Sequence, residues 1–129
     1  MADPYRYAAF ISYSHRDQRW AAWLQRELER YRVPSRLVGQ EGAHGPVPER
    51  IRPVFRDREE LAATAELSES IEKALGQSRF LVVVCSPAAA RSRWVNAEIL
   101  QFKRLHGERR ILCLVVDGDP SADGEQACF

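Results

Sequence analysis

Trp94 and Glu98, in the segment Ser92-Arg93-Trp94-Val95-Asn96-Ala97-Glu98-Ile99, stand four residues apart. On a helix this puts an aromatic ring and a carboxylate one above the other on a single face. A flat apolar wall beside an acid suits a site that must stabilise a cationic sugar. The same spacing also describes a buried structural Trp beside a solvated Glu. Where the pair falls in the order of segments separates the two readings.

Other reactive side chains make weaker patterns. Cys85 and Cys113 sit inside apolar, strand-like runs and Cys128 is next to the end, an odd number without metal-ligand spacing. They read as reduced, buried thiols of a cytosolic protein. A nucleophilic Cys85 would want a base, and no His lies nearby in sequence. His15, His44 and His106 are scattered and make no metal pattern. No metal and no cofactor are expected.

The elements that must position these residues alternate. Tyr7 to Tyr13 is a short apolar run ending in small polar residues, which predicts a buried first strand. Trp20, Leu24, Leu28 and Tyr31 then recur at helical spacing with Arg and Glu opposite, and Asp17 is placed to cap that helix. Residues 33–50 hold three Pro and three Gly and should be irregular and exposed. Ile51-Arg52-Pro53-Val54-Phe55 predicts a weak second strand, which Pro53 directs to a sheet edge. Leu67, Ile71, Ala74 and Leu75 mark a second helix closed by Gly76.

Phe80 to Cys85 is a continuous apolar run, as in a strand buried on both faces. Ser86-Pro87 suits an N-cap and first helical residue. In the helix that follows, Val95, Ile99 and Phe102 form the core stripe, with Trp94 and Glu98 on an adjacent stripe at the edge of the buried face. Ile111 to Val116 is a fourth strand. Such alternation predicts right-handed crossovers and a parallel sheet covered on both faces. Ligands of open sheets bind outside the carboxyl ends of the strands. Three polar loops meet that edge: residues 12–17, 56–64 and 86–93.

Composition narrows the class. A single domain is expected from 129 residues, and 45% hydrophobic with 29% charged residues is ordinary for a globular fold. The formal net charge of +1 does not recommend nucleic acid as a partner. The longest apolar run is far too short to cross a bilayer, and Met-Ala-Asp-Pro is not a signal peptide. A dinucleotide-binding fold would need a Gly-rich turn after the first strand, where Ser-Tyr-Ser-His-Arg-Asp stands. A phosphoacceptor receiver would need an Asp at the end of the third strand, where Cys85-Ser86-Pro87 stands.

The motif set instead resembles the bacterial Toll/interleukin-1 receptor (TIR) domain. Phe10-Ile11-Ser12-Tyr13-Ser14 is similar to its first box. Val54-Phe55-Arg56-Asp57 followed by Glu59-Glu60-Leu61 is similar to the entry of its BB loop. Val83-Val84-Cys85-Ser86-Pro87 is similar to the third-strand exit, and Trp94-Val95-Asn96-Ala97-Glu98 to its W-x-x-x-E signature. The four occur in the family's order over Tyr7 to Val116. Two departures stand out. Ala62-Ala63-Thr64 replaces the glycine common near the BB-loop tip, and the chain stops before the family's fifth strand and last helix.

The resemblance implies a flavodoxin-like α/β fold, a parallel sheet flanked by helices, lacking or truncated at that strand and helix. It implies a single TIR domain over residues 1–129, the N-terminal part of a longer protein with an attached sensor or effector domain. It also implies cleavage of the nicotinamide–ribose bond of NAD, the substrate, with Glu98 catalytic. Tyr13, Ser14, Arg16, Arg56, Ser86 and Trp94 are the candidate substrate-binding residues. For Ser14, Asp17 and Ser86 helix capping competes with ligand contact, and for Trp94 core packing does. Homotypic self-association with other TIR domains, a cytoplasmic setting and bacterial antiphage defence are further expectations. The rival is a non-catalytic TIR–TIR interaction module.

Overall fold

The computed structural model describes residues 5–43, 45–56, 68–119, 124 and 127–128. Strand β1 (Tyr7–Ser12) leads through a 3-10 turn (His15–Asp17) into helix α1 (Gln18–Arg30). Two-residue strands β2 (Glu41–Gly42) and β3 (Gly45–Pro46) pair as a small antiparallel hairpin within the otherwise irregular, largely exposed 33–50 stretch. Then come β4 (Val54–Arg56), α2 (Glu69–Gly76), β5 (Ser78–Cys85), the short α3 (Pro87–Arg91), α4 (Arg93–His106) and β6 (Ile111–Val115). The main sheet has four strands in the order β4-β1-β5-β6, all parallel. This is the expected parallel α/β architecture with helices on both faces.

Strand alternation divides the core. Ala9, Ile11, Val54, Val82 and Val84 face α1 with Ala21, whereas Phe10, Leu81, Val83 and Cys85 face α2, α3 and α4 with Leu75, Ala89, Val95 and Phe102. Phe10 stacks on Phe55 at a centroid distance of 5.0 Å. β4, the second strand expected from sequence, is an edge of the main sheet among the described residues, where Pro53 places it. Its backbone at Val54 is completed by α1 side chains: Gln25 Nε2 donates to Val54 O at 2.9 Å and Val54 N donates to Glu29 Oε2 at 3.0 Å.

Several details depart from the sequence reading. Trp20 and Tyr31 are exposed rather than part of the inner stripe of α1. The helix approaches the sheet through the small Ala21, which turns Trp20 outward, edge-on to Trp23 at 5.9 Å. Gly76 is the last helical residue of α2 with Gln77 as C-cap, while the positive-φ glycine that closes a helix is Gly107, after α4. Leu67 lies outside the described residues. Cys113 is exposed, because among the described residues β6 is a sheet edge that pairs only with β5.

Candidate active site

The last residue of β1 points to the α4 side of the sheet, on the face of Phe10. Ser12 Oγ donates to Glu98 Oε1 at 2.8 Å, and the two residues are 0% and 1% exposed. Helix α4 delivers the carboxylate there because Val95 and Phe102 anchor it in the core, and Ser92 caps its first turn by accepting from Val95 N. Glu98 is therefore deeper than the stripe-edge position expected from sequence. Its strand partner offsets part of the cost of burying a carboxylate, by donating to one of its two oxygens. Trp94, one turn earlier, is half-buried and packs against the same core.

A second hydroxyl–carboxylate contact ties the exits of β1 and β5 together. Ser86 is 2% exposed; its Oγ donates to Asp17 Oδ2 at 2.5 Å and accepts from Ala89 N at 3.0 Å. It caps α3, as expected, and its only hydroxyl proton is committed to Asp17. Asp17 sits at the N-cap of α1 but makes no side-chain capping bond. Its carboxylate is spent on the bridge instead. Ser14 caps the 3-10 turn, its hydroxyl accepting from Arg16 N at 3.3 Å.

The remaining candidates lie elsewhere around the strand ends. Arg56 pairs in register with Ile11 on the α1 side of the sheet, and its Nε donates to Gln25 Oε1 at 3.0 Å. Tyr13 also packs against the α1-side core, and Arg16 is exposed. The fold thus brings Ser12, Glu98 and Trp94 to one face and places Tyr13 and Arg56 toward the other, with Asp17–Ser86 joining loops at the crest. Most of the 56–64 loop lies outside the described residues. Ser12 belongs to the first-box motif and is not among the candidate site residues read from sequence. The signal that finds it is strand alternation, which puts residue 12 on the face of Phe10.

Behind Ser86, burial pushes the Cys85 thiol up to about 12 from 9.0, with Cys113 adding to the shift through charge and a hydrogen bond. It stays protonated at neutral pH and is a poor nucleophile. A cavity of about 420 Å³ opens on the α1 side, under the β2–β3 hairpin, between Leu28, Phe80 and Val82 and beneath Arg6, Arg50 and Arg52. It contains none of the candidate residues. Among the described residues no helix is long and apolar enough to cross a membrane.

What the arrangement offers chemically, among the described residues, is a buried carboxylate hydrogen-bonded to the carboxyl end of a central strand, one helical turn from the half-buried Trp94. Comparison with known proteins agrees with this placement of the elements. The chain is 43% identical over 115 residues to the NAD(+) hydrolase ApTIR of an Actinoplanes species, an alignment covering 88% of this chain and 14% of that protein. It superposes on the TIR domains of the activated Roq1 resistosome directly recognizing the pathogen effector XopQ, with a TM-score of 0.63 and 27% identity. That match covers 93% of this chain and 66% of the other. The chain therefore spans less than two thirds of the length of both relatives. The family model described as TIR domain matches residues 9–127, and this chain belongs to the TIR domain family.

Proposed function

We propose that this chain is an NAD+ hydrolase that cleaves the nicotinamide–ribose bond, giving nicotinamide and ADP-ribose or a cyclic ADP-ribose isomer. The carrying observation is the Glu98 carboxylate, buried and held by Ser12 at the carboxyl edge of the sheet. Identity to a relative named as an NAD(+) hydrolase supports the choice of substrate. The residue demand is small. Nicotinamide leaves from a pyridinium as a neutral molecule, taking the C–N bonding electrons, so the general acid of ordinary glycoside hydrolysis is unnecessary. Glu98 holds the ribose hydroxyls and stabilises the oxocarbenium-like charge; water, or a nucleophile within the ADP moiety, then adds and a proton is released.

In the described conformation Glu98 is 1% exposed, so ribose contact requires its shell to open. Self-association is the proposed trigger, in a longer protein acting in bacterial antiphage defence. Such a dependence makes specific activity rise with enzyme concentration. A constant specific activity from nanomolar to high micromolar enzyme, in a sample monomeric by light scattering, refutes it.

The same hydrogen bond favours one rival, a non-catalytic interaction module in which Ser12–Glu98 serves the fold alone. Glu98→Gln separates the two. A folded Gln variant should lose at least ~100-fold in turnover, about 3 kcal/mol of transition-state stabilisation. Wild-type-like NAD cleavage by that variant would overturn the catalytic assignment.

A further inference from the structure

We infer that Ser12 is a positioning residue for Glu98, setting the orientation in which that carboxylate meets the ribosyl cation; the inference rests on the proposed NAD cleavage. Two observations carry it. The hydrogen bond spans 86 positions of sequence, joining the end of a central strand to the second turn of α4, at 2.8 Å with both residues buried. Ser12 itself is held rigidly, because β1 lies between β4 and β5 and Ser12 pairs in register with Val83.

A hydroxyl has one proton to donate, and here it goes to Oε1. This holds Oε1 against the strand end and restrains the orientation in which the carboxylate meets the developing positive charge. A glutamate has several rotatable bonds, and an electrostatic stabiliser works only if its orientation is set before the charge appears. Ser12 touches neither substrate nor reacting atom. It acts through Glu98.

The test is a double-mutant cycle in the full chain, assayed for NAD cleavage at high enzyme concentration and well below each variant's melting midpoint. Ser12→Ala should lower kcat about 10- to 100-fold, the scale of one hydrogen bond to a charged group. Ser12→Cys keeps the size and a weak donor and should fall between Ser12→Ala and the parent. In a Glu98→Gln background, Ser12→Ala should change the residual rate less than twofold, because a residue that works only through Glu98 has nothing left to position. A merely structural Ser12 would lower the rate by the same factor in both backgrounds, and that additive result overturns the inference. So does a Ser12→Ala variant with the parent's kcat. A parent that cleaves no NAD at any concentration instead overturns the functional reading on which the inference stands.

Discussion

Removing the Ser86 hydroxyl should be among the most damaging small substitutions in the chain. Ser86→Ala deletes two bonds from one atom: acceptance from Ala89 N, which caps α3, and donation to Asp17. Loss of an N-cap costs about 1 kcal/mol. A hydrogen bond to a carboxylate contributes about 1.5–3 kcal/mol, and the low end applies because Asp17 is only half-buried and water can replace the lost donor. The sum is roughly 2.5 kcal/mol, which for a domain of this size lowers the thermal midpoint by roughly 8–12 °C. Asp17→Ala removes only the bridge and should cost about 1.5 kcal/mol. Because both variants lose the same bond, the double mutant should be no worse than Ser86→Ala by more than ~0.5 kcal/mol, a coupling of about 1 kcal/mol or more. Urea denaturation with unchanged m-values is the appropriate measurement. If Asp17→Ala costs as much in the Ser86→Ala background as in the parent, Asp17 works as the helix cap its position in sequence suggested, and the bridge between the two loops contributes nothing.

Trp94→Ala should cost about 2 kcal/mol by thermal or urea unfolding, below the ~3–5 of a fully buried ring, because Trp94 is half-buried. Trp94→Phe should keep substantial NAD cleavage if packing is its main work, and equal midpoints for the Ala variant and the parent would refute that role. An alkylating reagent at pH 8 should label Cys113 rapidly and spare Cys85 and Cys128 until the protein unfolds, since the first is exposed and the others are buried. Peptide mapping that finds Cys85 labelled as fast as Cys113 would contradict its burial. The Cys85 thiol is held up at about 12 against 9.0, so the folded state keeps a proton the unfolded chain gives up. Its contribution to stability is therefore complete below pH 9 and is lost progressively as pH rises toward 12, which Cys85→Ala should abolish in a pH series of unfolding free energies.

The local chemistry of the chain was legible in one dimension. Apolar continuity marked β5, Pro53 sent the second strand to an edge, Ser86-Pro87 announced a capped helix, and the order of strand and helix required a parallel sheet. These are properties of short windows, settled by backbone sterics and the period of burial. The family followed from four such windows in sequence, and Glu98 from its spacing to Trp94. What the windows could not decide was which groups meet across the fold. Ser12 and Glu98, or Asp17 and Ser86, come together only because β1 and β5 are neighbours and α4 returns beneath them. Asp17 looked like a cap and became a bridge, since a hydroxyl 69 positions away reaches its carboxylate in place of the helix N–H groups beside it. Trp20 looked like core and faces outward, because the closest approach of helix to sheet is set by the small residue next to it, not by the largest one. Burial of the carboxylate is likewise a tertiary decision: an acid four residues from a Trp is solvated or enclosed according to whether a strand supplies a donor where the helix lands.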